Sequence, residues 1–389
     1  MSTDITTSAD PAVRPPASGA WREGDDPGRR LFLDLEGPLR LEAGGELPQV
    51  RLAYETWGDL RVDAAGRSNA VLVLHALTGD SHVAGPLGPG HKSPGWWDAL
   101  IGPGRALDTD RWFVVAPNVV GGCQGTTGPA STGPDGRTWG GRFPFVTARD
   151  SVRAETVLAD ALGVDRWALV VGGSMGGMRA LEWAATEPER VERLLLLASP
   201  AAASADQIAW AAPQLAAIRA DPGWRGGDYH DLPDGAGPHA GLGVARRIAH
   251  LSYRSGYELG TRFGRDPQDG EDPLHGGRYA VESYLDHHAE KLVRRFDAAS
   301  YVRLTELMNA HDVGRGRGGV AAGLARVTAR TIVGGVSSDR IYPLEQQAEL
   351  AAGIPNAAEL RVIDSPYGHD GFLIETGAVA AMVAELLKD

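Results

Sequence analysis

The sequence predicts an α/β fold with a mostly parallel sheet and a helical insertion before the last strands. Continuous apolar runs alternate with amphipathic segments, this rhythm breaks off near Pro200, and it resumes near Arg330. Strands of a parallel sheet are covered on both faces by helices, so they are typically unbroken apolar runs. A chain of 389 residues can hold a large core and an inserted subdomain.

The strands and helices of this fold are predicted in chain order from residue patterns. Residues 49–56 alternate apolar and polar side chains, which is typical of a strand near a sheet edge. Short strands are expected at 31–33 and 39–41, and buried strands at 70–74, 112–116, 167–171, 191–198, 330–333 and 360–363. Helices are expected at 151–162, with Asp150 as the start residue, and at 178–186, 343–352 and 376–387.

The chain divides into four predicted parts. Residues 1–30 are rich in Ala, Pro, Asp, Arg and Gly and lack an apolar segment, so a disordered tail is expected rather than a signal peptide. Residues 31–200 form the first part of the core, and residues 324–389 form the second. Residues 201–323 lack a clear apolar strand and are predicted to be a helical lid over the carboxyl edge of the sheet.

Composition restricts the classes of function. The net charge of −12 argues against a nucleic-acid or anionic-membrane surface. No apolar run is long enough to span a membrane. The single cysteine, Cys123, permits no intrachain disulfide and fits a reducing cytoplasm. In its glycine-rich loop, Cys123 is expected to be a small packing residue rather than a reactive thiol.

The most specific motif is G-x-S-x-G, formed by Gly172, Ser174 and Gly176 between a predicted strand and a predicted helix. In this context the motif is typical of a nucleophile elbow, where a serine lies at a sharp strand-to-helix turn. A merely structural turn is the alternative. The strand before the motif and the helix after it favour Ser174 as a catalytic nucleophile.

A serine nucleophile needs a base and a carboxylate that orients the base, and both are expected on loops after later strands. Asp339 directly follows the strand at 330–333, and His369 directly follows the strand at 360–363. Asp312 is a rival carboxylate but follows no strand. His287 and His288 lack metal-ligand spacing and are expected on a partly exposed helix, so no metal is predicted.

An oxyanion hole requires two backbone N–H groups, one after the nucleophile and one from an early loop. Met175 supplies the first, and Leu77, in the loop after the strand at 70–74, is expected to supply the second. His75 in the same loop is expected to have a structural role.

Several motifs together resemble one known family. They are HALTGDSHV at 75–83, GWW at 95–97, NVVGGCQGTTGP at 118–129, GGSMGGM at 172–178 with LEW at 181–183, and GHDGFL at 368–373. This set resembles the homoserine O-acetyltransferases of the α/β-hydrolase fold, from about residue 31 to the carboxyl terminus. The resemblance implies an α/β-hydrolase fold, no permanently bound cofactor, and acetyl-CoA and L-homoserine as substrates in methionine biosynthesis. It also implies a cytoplasmic homodimer.

The same resemblance implies roles for specific residues. Ser174 forms the acetyl-enzyme, with His369 as base and Asp339 orienting it. Arg246 binds the carboxylate of the amino acid and Asp370 binds its amine, although the adjacent Arg247 competes for the first role. Family relatives that use succinyl-CoA or act on serine stay open as alternatives, and Arg247, Arg254 or Arg262 would favour succinyl if one pointed into the pocket. An esterase and a non-catalytic receptor-like binder are further alternatives.

Overall fold

The computed structural model describes residues 14–388, which contain ten strands and eleven α-helices. The strands are β1 (Leu31–Asp34), β2 (Leu39–Arg40), β3 (Glu46–Leu47), β4 (Arg51–Trp57), β5 (Ala70–Leu74), β6 (Phe113–Pro117), β7 (Leu169–Gly173), β8 (Arg193–Leu197), β9 (Arg330–Val336) and β10 (Arg361–Ile363). Eight of them form one sheet in the order β1-β4-β6-β5-β7-β8-β9-β10, and β2 pairs with β3 separately. β4 is antiparallel to both neighbours, and the other neighbouring pairs of the large sheet are parallel. The mostly parallel sheet is therefore confirmed.

The helices are arranged around this sheet and above one of its edges. They are α1 (Ala148–Ala161), α2 (Met175–Thr186), α3 (Ala205–Ala220), α4 (His239–Tyr253), α5 (Gly256–Phe263), α6 (Ala280–Val293), α7 (Ala298–Asn309), α8 (Val320–Leu324), α9 (Leu344–Gly353), α10 (Gly371–Ile374) and α11 (Thr376–Leu386). Helices α3 to α8, here called the cap, lie between β8 and β9 in the chain. β8 and β9 nevertheless pair directly, so the cap is an insertion into a continuous sheet. None of the helices within residues 14–388 is long and apolar enough to cross a membrane.

The hydrophobic core lies on both faces of the sheet. Along β5, Leu72 and Leu74 face one apolar cluster, which includes α1 and α2, while Val71 and Val73 face a second cluster, which includes α11. All four side chains are fully buried. Because successive side chains of a strand point to opposite faces, burial on both sides requires an unbroken apolar run.

Helix α1 begins earlier than predicted. Its N-cap is Thr147, and the Asp150 side chain accepts a hydrogen bond from the Thr147 backbone N–H, which completes a capping box. The prediction that Asp150 is the start residue was therefore wrong. An acidic residue at the third helical position stabilises the helix start just as a capping residue does, and the two patterns look alike in the sequence.

The predicted disordered tail over residues 1–30 is wrong for residues 14–30, here called the N-terminal segment; residues 1–13 lie outside the described residues. Ala17, Ala20 and Arg30 are buried. The Ser18 hydroxyl donates to Asp297 Oδ1 of the cap over 2.7 Å, and the Trp21 backbone N–H donates to the carbonyl of Cys123 over 2.9 Å. The polar composition suggested disorder, but the segment is held by partners that are remote in sequence.

Candidate active site

The elbow at Ser174 has the strained backbone that its sequence predicts. Ser174 has φ 56° and ψ −127°, between the end of β7 and the start of α2. A Cβ atom at Gly176 would lie 2.0 Å from the carbonyl oxygen of Leu74, so only glycine fits where α2 crosses β5. The Ser199 hydroxyl donates to the Ser174 carbonyl over 2.9 Å. These contacts hold a non-glycine residue in a conformation that side chains rarely adopt.

Asp339 and His369 are brought together as predicted. His369 Nδ1 lies 2.7 Å from Asp339 Oδ2, and the other Asp339 oxygen accepts the backbone N–H groups of Ile341 and Tyr342 over 2.9 and 3.0 Å. Both side chains are buried. A carboxylate fixed in this way orients the imidazole so that Nε2 is left for proton transfer.

Aromatic rings line the space around His369. The rings of Tyr342, Phe372 and Tyr253 have their centres 5.1, 5.3 and 5.8 Å from that of His369. Burial raises the pKa of Tyr342, while the neighbouring Ser174 hydroxyl acts in the opposite direction. Within residues 14–388, Ser174 makes no direct hydrogen bond to His369. In structures without substrate such catalytic hydrogen bonds are often long, and they tighten when substrate binds.

The two predicted oxyanion donors lie at the start of α2 and in the loop after β5. Met175 is the first residue of α2, where the backbone N–H groups have no partner within the helix. Leu77 is buried in the loop after β5 and, with Tyr342, lines a small cavity of about 30 Å³. His75 holds this loop, since its Nε2 accepts the backbone N–H of Val119 over 3.1 Å and its Nδ1 lies 2.8 Å from the Ala76 carbonyl. The expected structural role of His75 agrees with these bonds.

The structure distinguishes Arg246 from Arg247. Both lie on α4, but Arg247 Nη2 pairs with Asp286 Oδ1 of α6 over 2.7 Å. Among residues 14–388, Arg246 Nε and Nη1 have no hydrogen-bond partner although both atoms are buried, and the guanidinium carbon lies 5.7 Å from the Tyr253 ring centre. A buried guanidinium with unsatisfied donors is costly unless a ligand completes it.

Asp370 lies beside this guanidinium and next to His369 in the chain. Burial raises the pKa of Asp370, whereas the charges of Arg254, His369 and Arg246 lower it. Arg254 Nη1 lies 3.4 Å from Asp370 Oδ2, and Arg254 Nη2 lies 3.1 Å from Glu258 Oε1. The site thus combines an unpaired cation with a recessed carboxylate.

Tyr253 and Tyr342 were not predicted as site residues, and Arg254 was named only as a cation that would favour succinyl if it pointed into the pocket. Tyr253 follows Arg246 by seven positions, or two helical turns, so it lies on the same face of α4. Tyr342 follows Asp339 by three positions on one loop. Searching for aromatic residues at these spacings would have found both tyrosines, whereas the pairing of Arg254 with Asp370 depends on the tertiary fold.

A wide cleft lies away from these residues. It measures about 1070 Å³, and its lining includes Trp21, Asp34, Arg51, Arg142 and His230. Its arginines are already paired, since Arg51 Nε lies 2.8 Å from Asp34 Oδ1 and Arg142 Nη1 lies 2.9 Å from Asp135 Oδ2. We therefore place the candidate site at Ser174 and His369, where the titratable groups converge.

Two other groups of reactive side chains have structural partners. Glu55, His82 and His91 are buried together, but His82 Nδ1 lies 2.9 Å from Glu55 Oε2 and its Nε2 lies 3.2 Å from the Pro86 carbonyl. Burial opposes protonation of His82, but its bond to Glu55 raises its pKa, and both of its ring nitrogens already have partners. Burial raises the pKa of the Cys123 thiol to about 12, so this thiol is unsuited to nucleophilic attack.

Comparisons with known proteins agree on the family. Residues 69–376 match the family model described as alpha/beta hydrolase fold. The homoserine O-acetyltransferase of Thermobifida fusca is 71% identical, covering 96% of this chain and 97% of that protein. The homoserine O-acetyltransferase of Clavibacter michiganensis is 60% identical, covering 96% of each.

Solved structures with the same fold include proteins named as homoserine O-acetyltransferases and proteins named as esterases. A homoserine O-acetyltransferase from Bacillus anthracis superposes with a TM-score of 0.82 at 26% identity, covering 93% of this chain and 98% of that chain. Esterase E22 superposes with a TM-score of 0.82 at 25% identity, covering 92% and 99%. The predicted fold and the resemblance are confirmed, and the chain belongs to the homoserine O-acetyltransferase family of the α/β-hydrolase fold.

Proposed function

We propose that this chain transfers the acetyl group of acetyl-CoA to the hydroxyl of L-homoserine, a step of methionine biosynthesis, through an acetyl-enzyme on Ser174. No permanently bound cofactor takes part in this proposal. Ser174 is the nucleophile, His369 is the general base, and Asp339 orients His369. The proposal rests on the Asp339–His369 bond of 2.7 Å beside the elbow and on the family to which the chain belongs.

The first half-reaction forms the acetyl-enzyme. His369 Nε2 takes the Ser174 proton as Oγ attacks the thioester carbonyl, and the N–H groups of Leu77 and Met175 stabilise the oxyanion. When the intermediate collapses, the C–S bond breaks and the thiolate takes the proton from His369. Free CoA leaves, and the acetyl group stays on Ser174 as an ester.

The second half-reaction transfers the acetyl group. His369 takes the proton of the homoserine hydroxyl, whose oxygen attacks the ester carbonyl. The bond to Ser174 Oγ then breaks, and Oγ takes the proton back from His369. The products are O-acetylhomoserine and the free enzyme, so atoms and protons balance over the two steps.

One observation favours an amino-acid acceptor over water. The buried, unpartnered Nε and Nη1 of Arg246 and the recessed Asp370 carboxylate form a cation and an anion near His369. An amino acid carries the complementary carboxylate and ammonium, so we propose that Arg246 binds the first and Asp370 the second. Holding the hydroxyl in line in this way lets it compete with bulk water.

The charges around the site favour acetyl over succinyl as the transferred group. The three arginines that could have contradicted acetyl have acidic neighbours: Arg247 has Asp286, while Arg254 and Arg262 share Glu258. In the described part of the chain, each of the three lies within 3.7 Å of a carboxylate, so none is a free cation dedicated to the second carboxylate of a succinyl group. We therefore propose acetyl-CoA as the donor.

An esterase is the second candidate, because esterase E22 has the same fold and a TM-score of 0.82. Both functions use the same triad and differ only in the acceptor. The deciding experiment combines acetyl-CoA or succinyl-CoA with homoserine, serine or no amino acid, and measures CoA release and product mass. Without an amino acid we expect at most one equivalent of CoA per enzyme, and continued CoA release only with an amino acid, fastest with acetyl-CoA and homoserine. Continued CoA release that is independent of any amino acid would support the esterase instead.

We also propose that the chain works in the cytoplasm as a homodimer, as the family resemblance implies. Sedimentation of the purified protein at micromolar concentration tests the dimer. A single species with the mass of one 41.1 kDa chain would contradict it.

A further inference from the structure

We propose that Arg295, in the turn between α6 and α7, is a positioning residue that holds the oxyanion loop in place from the cap. The inference rests on the proposed function, because it takes Leu77 as an oxyanion donor. Arg295 lies far from Leu77 in the sequence, and neither composition nor motif connects them. The connection comes from two sets of contacts and from the charges around Arg295.

The first contact joins Arg295 directly to the oxyanion loop. Arg295 Nη1 donates to the carbonyl oxygen of Thr78, the residue after Leu77, over 2.9 Å. The Gly79 backbone N–H donates to the Ala76 carbonyl over 3.0 Å, which closes a turn with Leu77 and Thr78 at its centre. A cationic donor on the Thr78 carbonyl restrains rotation of the peptide groups that flank it, and so restrains the direction of the Leu77 N–H.

The second set of contacts makes the backbone around Arg295 rigid. Three consecutive carbonyls of this turn accept hydrogen bonds from three separate parts of the chain. Lys92 Nζ donates to Arg294 over 3.2 Å, Gln124 Nε2 donates to Arg295 over 2.9 Å, and the Gly19 N–H donates to Phe296 over 3.2 Å. A Cβ atom at Gly19 would lie 2.4 Å from the Phe296 nitrogen, so the N-terminal segment lies directly against the turn. The Arg295 side chain therefore extends from a backbone that is held in place by these contacts.

The third observation concerns charge. Within the described part of the chain, Arg295 makes no ion pair with a carboxylate, and its side-chain hydrogen bond goes to the loop. Burial lowers the pKa of Arg295, and the charge of Arg246 acts in the same direction, while Asp80 opposes both. Keeping a guanidinium in such surroundings without a direct ion pair costs stability. We therefore assign this guanidinium the role of holding the Thr78 carbonyl.

The test uses p-nitrophenyl acetate, an uncharged ester that acylates the serine without CoA or an amino acid. We expect Arg295→Met to slow the acylation burst about tenfold, less than loss of an oxyanion donor itself. In the full reaction, kcat should fall about tenfold while the KM for homoserine stays within twofold. Arg295→Lys keeps a cationic donor and should recover the rate to within threefold of the wild type. Lys291→Met removes an exposed cation from α6, the helix before this turn, and should change none of these quantities.

The possible results separate the explanations. An unchanged burst with a raised KM for homoserine would overturn the proposal and make Arg295 a carboxylate ligand. An unchanged burst with a raised KM for acetyl-CoA would overturn it in favour of donor binding. If Arg295→Met does not fold, as judged by its thermal transition, Arg295→Gln carries the same expectation. A wild-type protein that shows no burst and no acylated Ser174 would contradict the proposed function itself, not the role of Arg295 alone.

Discussion

The elbow around Ser174 and the cap differ in how their functional residues are specified. At the elbow, a strand, a serine between glycines and a helix follow one another in the sequence, and their local order sets the φ of 56° at Ser174. In the cap, Arg246 and Arg247 are neighbours with the same chemistry, and Asp286 on another helix decides which of them is left unpaired. The position of the proposed nucleophile is therefore specified by neighbouring residues in the sequence. The proposed binding of the acceptor depends instead on packing between distant elements.

The largest expected effect tests the elbow. Ser174→Ala removes the only proposed nucleophile and should lower turnover by about 10⁴-fold or more. Labelling by a fluorophosphonate probe should be lost together with activity. Ser199→Ala is the matched control, because it loses only a hydrogen bond to the Ser174 carbonyl and should keep the labelling. Continued labelling of Ser174→Ala would mean that another residue is the nucleophile.

The next effect tests the loop that carries the orienting carboxylate. Asp339→Asn keeps the shape of the side chain but no longer fixes the His369 tautomer, and should lower kcat by about 10³–10⁴-fold. Asp312→Asn changes the rival carboxylate and should leave kcat within twofold. Steady-state kinetics of the two variants decide between the carboxylates, and a larger loss in Asp312→Asn would reverse the assignment.

The third effect tests the cap. Arg246→Met should raise the KM for homoserine about 10- to 100-fold, because one charged hydrogen-bond donor set is lost. The acylation burst with p-nitrophenyl acetate should stay within twofold, since that ester has no carboxylate. Arg247→Met changes a residue already paired with Asp286 and should leave the KM within threefold. Equal effects from both variants would remove the distinction between the two arginines.

The smallest effect concerns the attachment of the cap to the N-terminal segment. Burial alone would raise the pKa of Asp297, but the charge of His230, whose Nε2 lies 3.0 Å from Asp297 Oδ1, and the hydrogen bonds of Tyr229 and Ser18 lower it below its ordinary value of 3.8. A lowered carboxyl pKa stabilises the fold above the unfolded-state pKa, and this contribution is lost as the pH falls below about 4.

We therefore expect the free energy of unfolding to fall between pH 5 and pH 2 less steeply in Asp297→Asn than in the wild type. Urea unfolding at a series of pH values measures this dependence. Asp234→Asn, an exposed cap carboxylate, should keep the wild-type slope. The same slope in Asp297→Asn as in the wild type would mean that Asp297 contributes nothing to acid sensitivity.

Much of the fold and the three triad positions could be predicted because their signals are local. Runs such as 70–74 are apolar throughout because both faces of the strand are buried, and Asp339 and His369 each follow a strand. The packing of Ala17 and Ser18 could not be predicted, because nothing in their own composition distinguishes them from a disordered tail. The contacts of Arg254 with Asp370 and of Arg295 with Thr78 join segments more than a hundred residues apart. The proposed roles of Ser174, Asp339 and His369 stay predictions until the variants are measured.

The insertion of the cap between β8 and β9 also affects how the protein is made. β8 ends at Leu197 and its neighbour β9 begins at Arg330, so everything between them must leave the ribosome before the sheet can be extended. At about 5–20 residues per second, translation of that stretch takes roughly 7 to 26 s. The Ser174 elbow is synthesised before this interval, whereas Asp339 and His369 follow it. A nascent chain would therefore carry the proposed nucleophile without its proposed base until His369 has been synthesised.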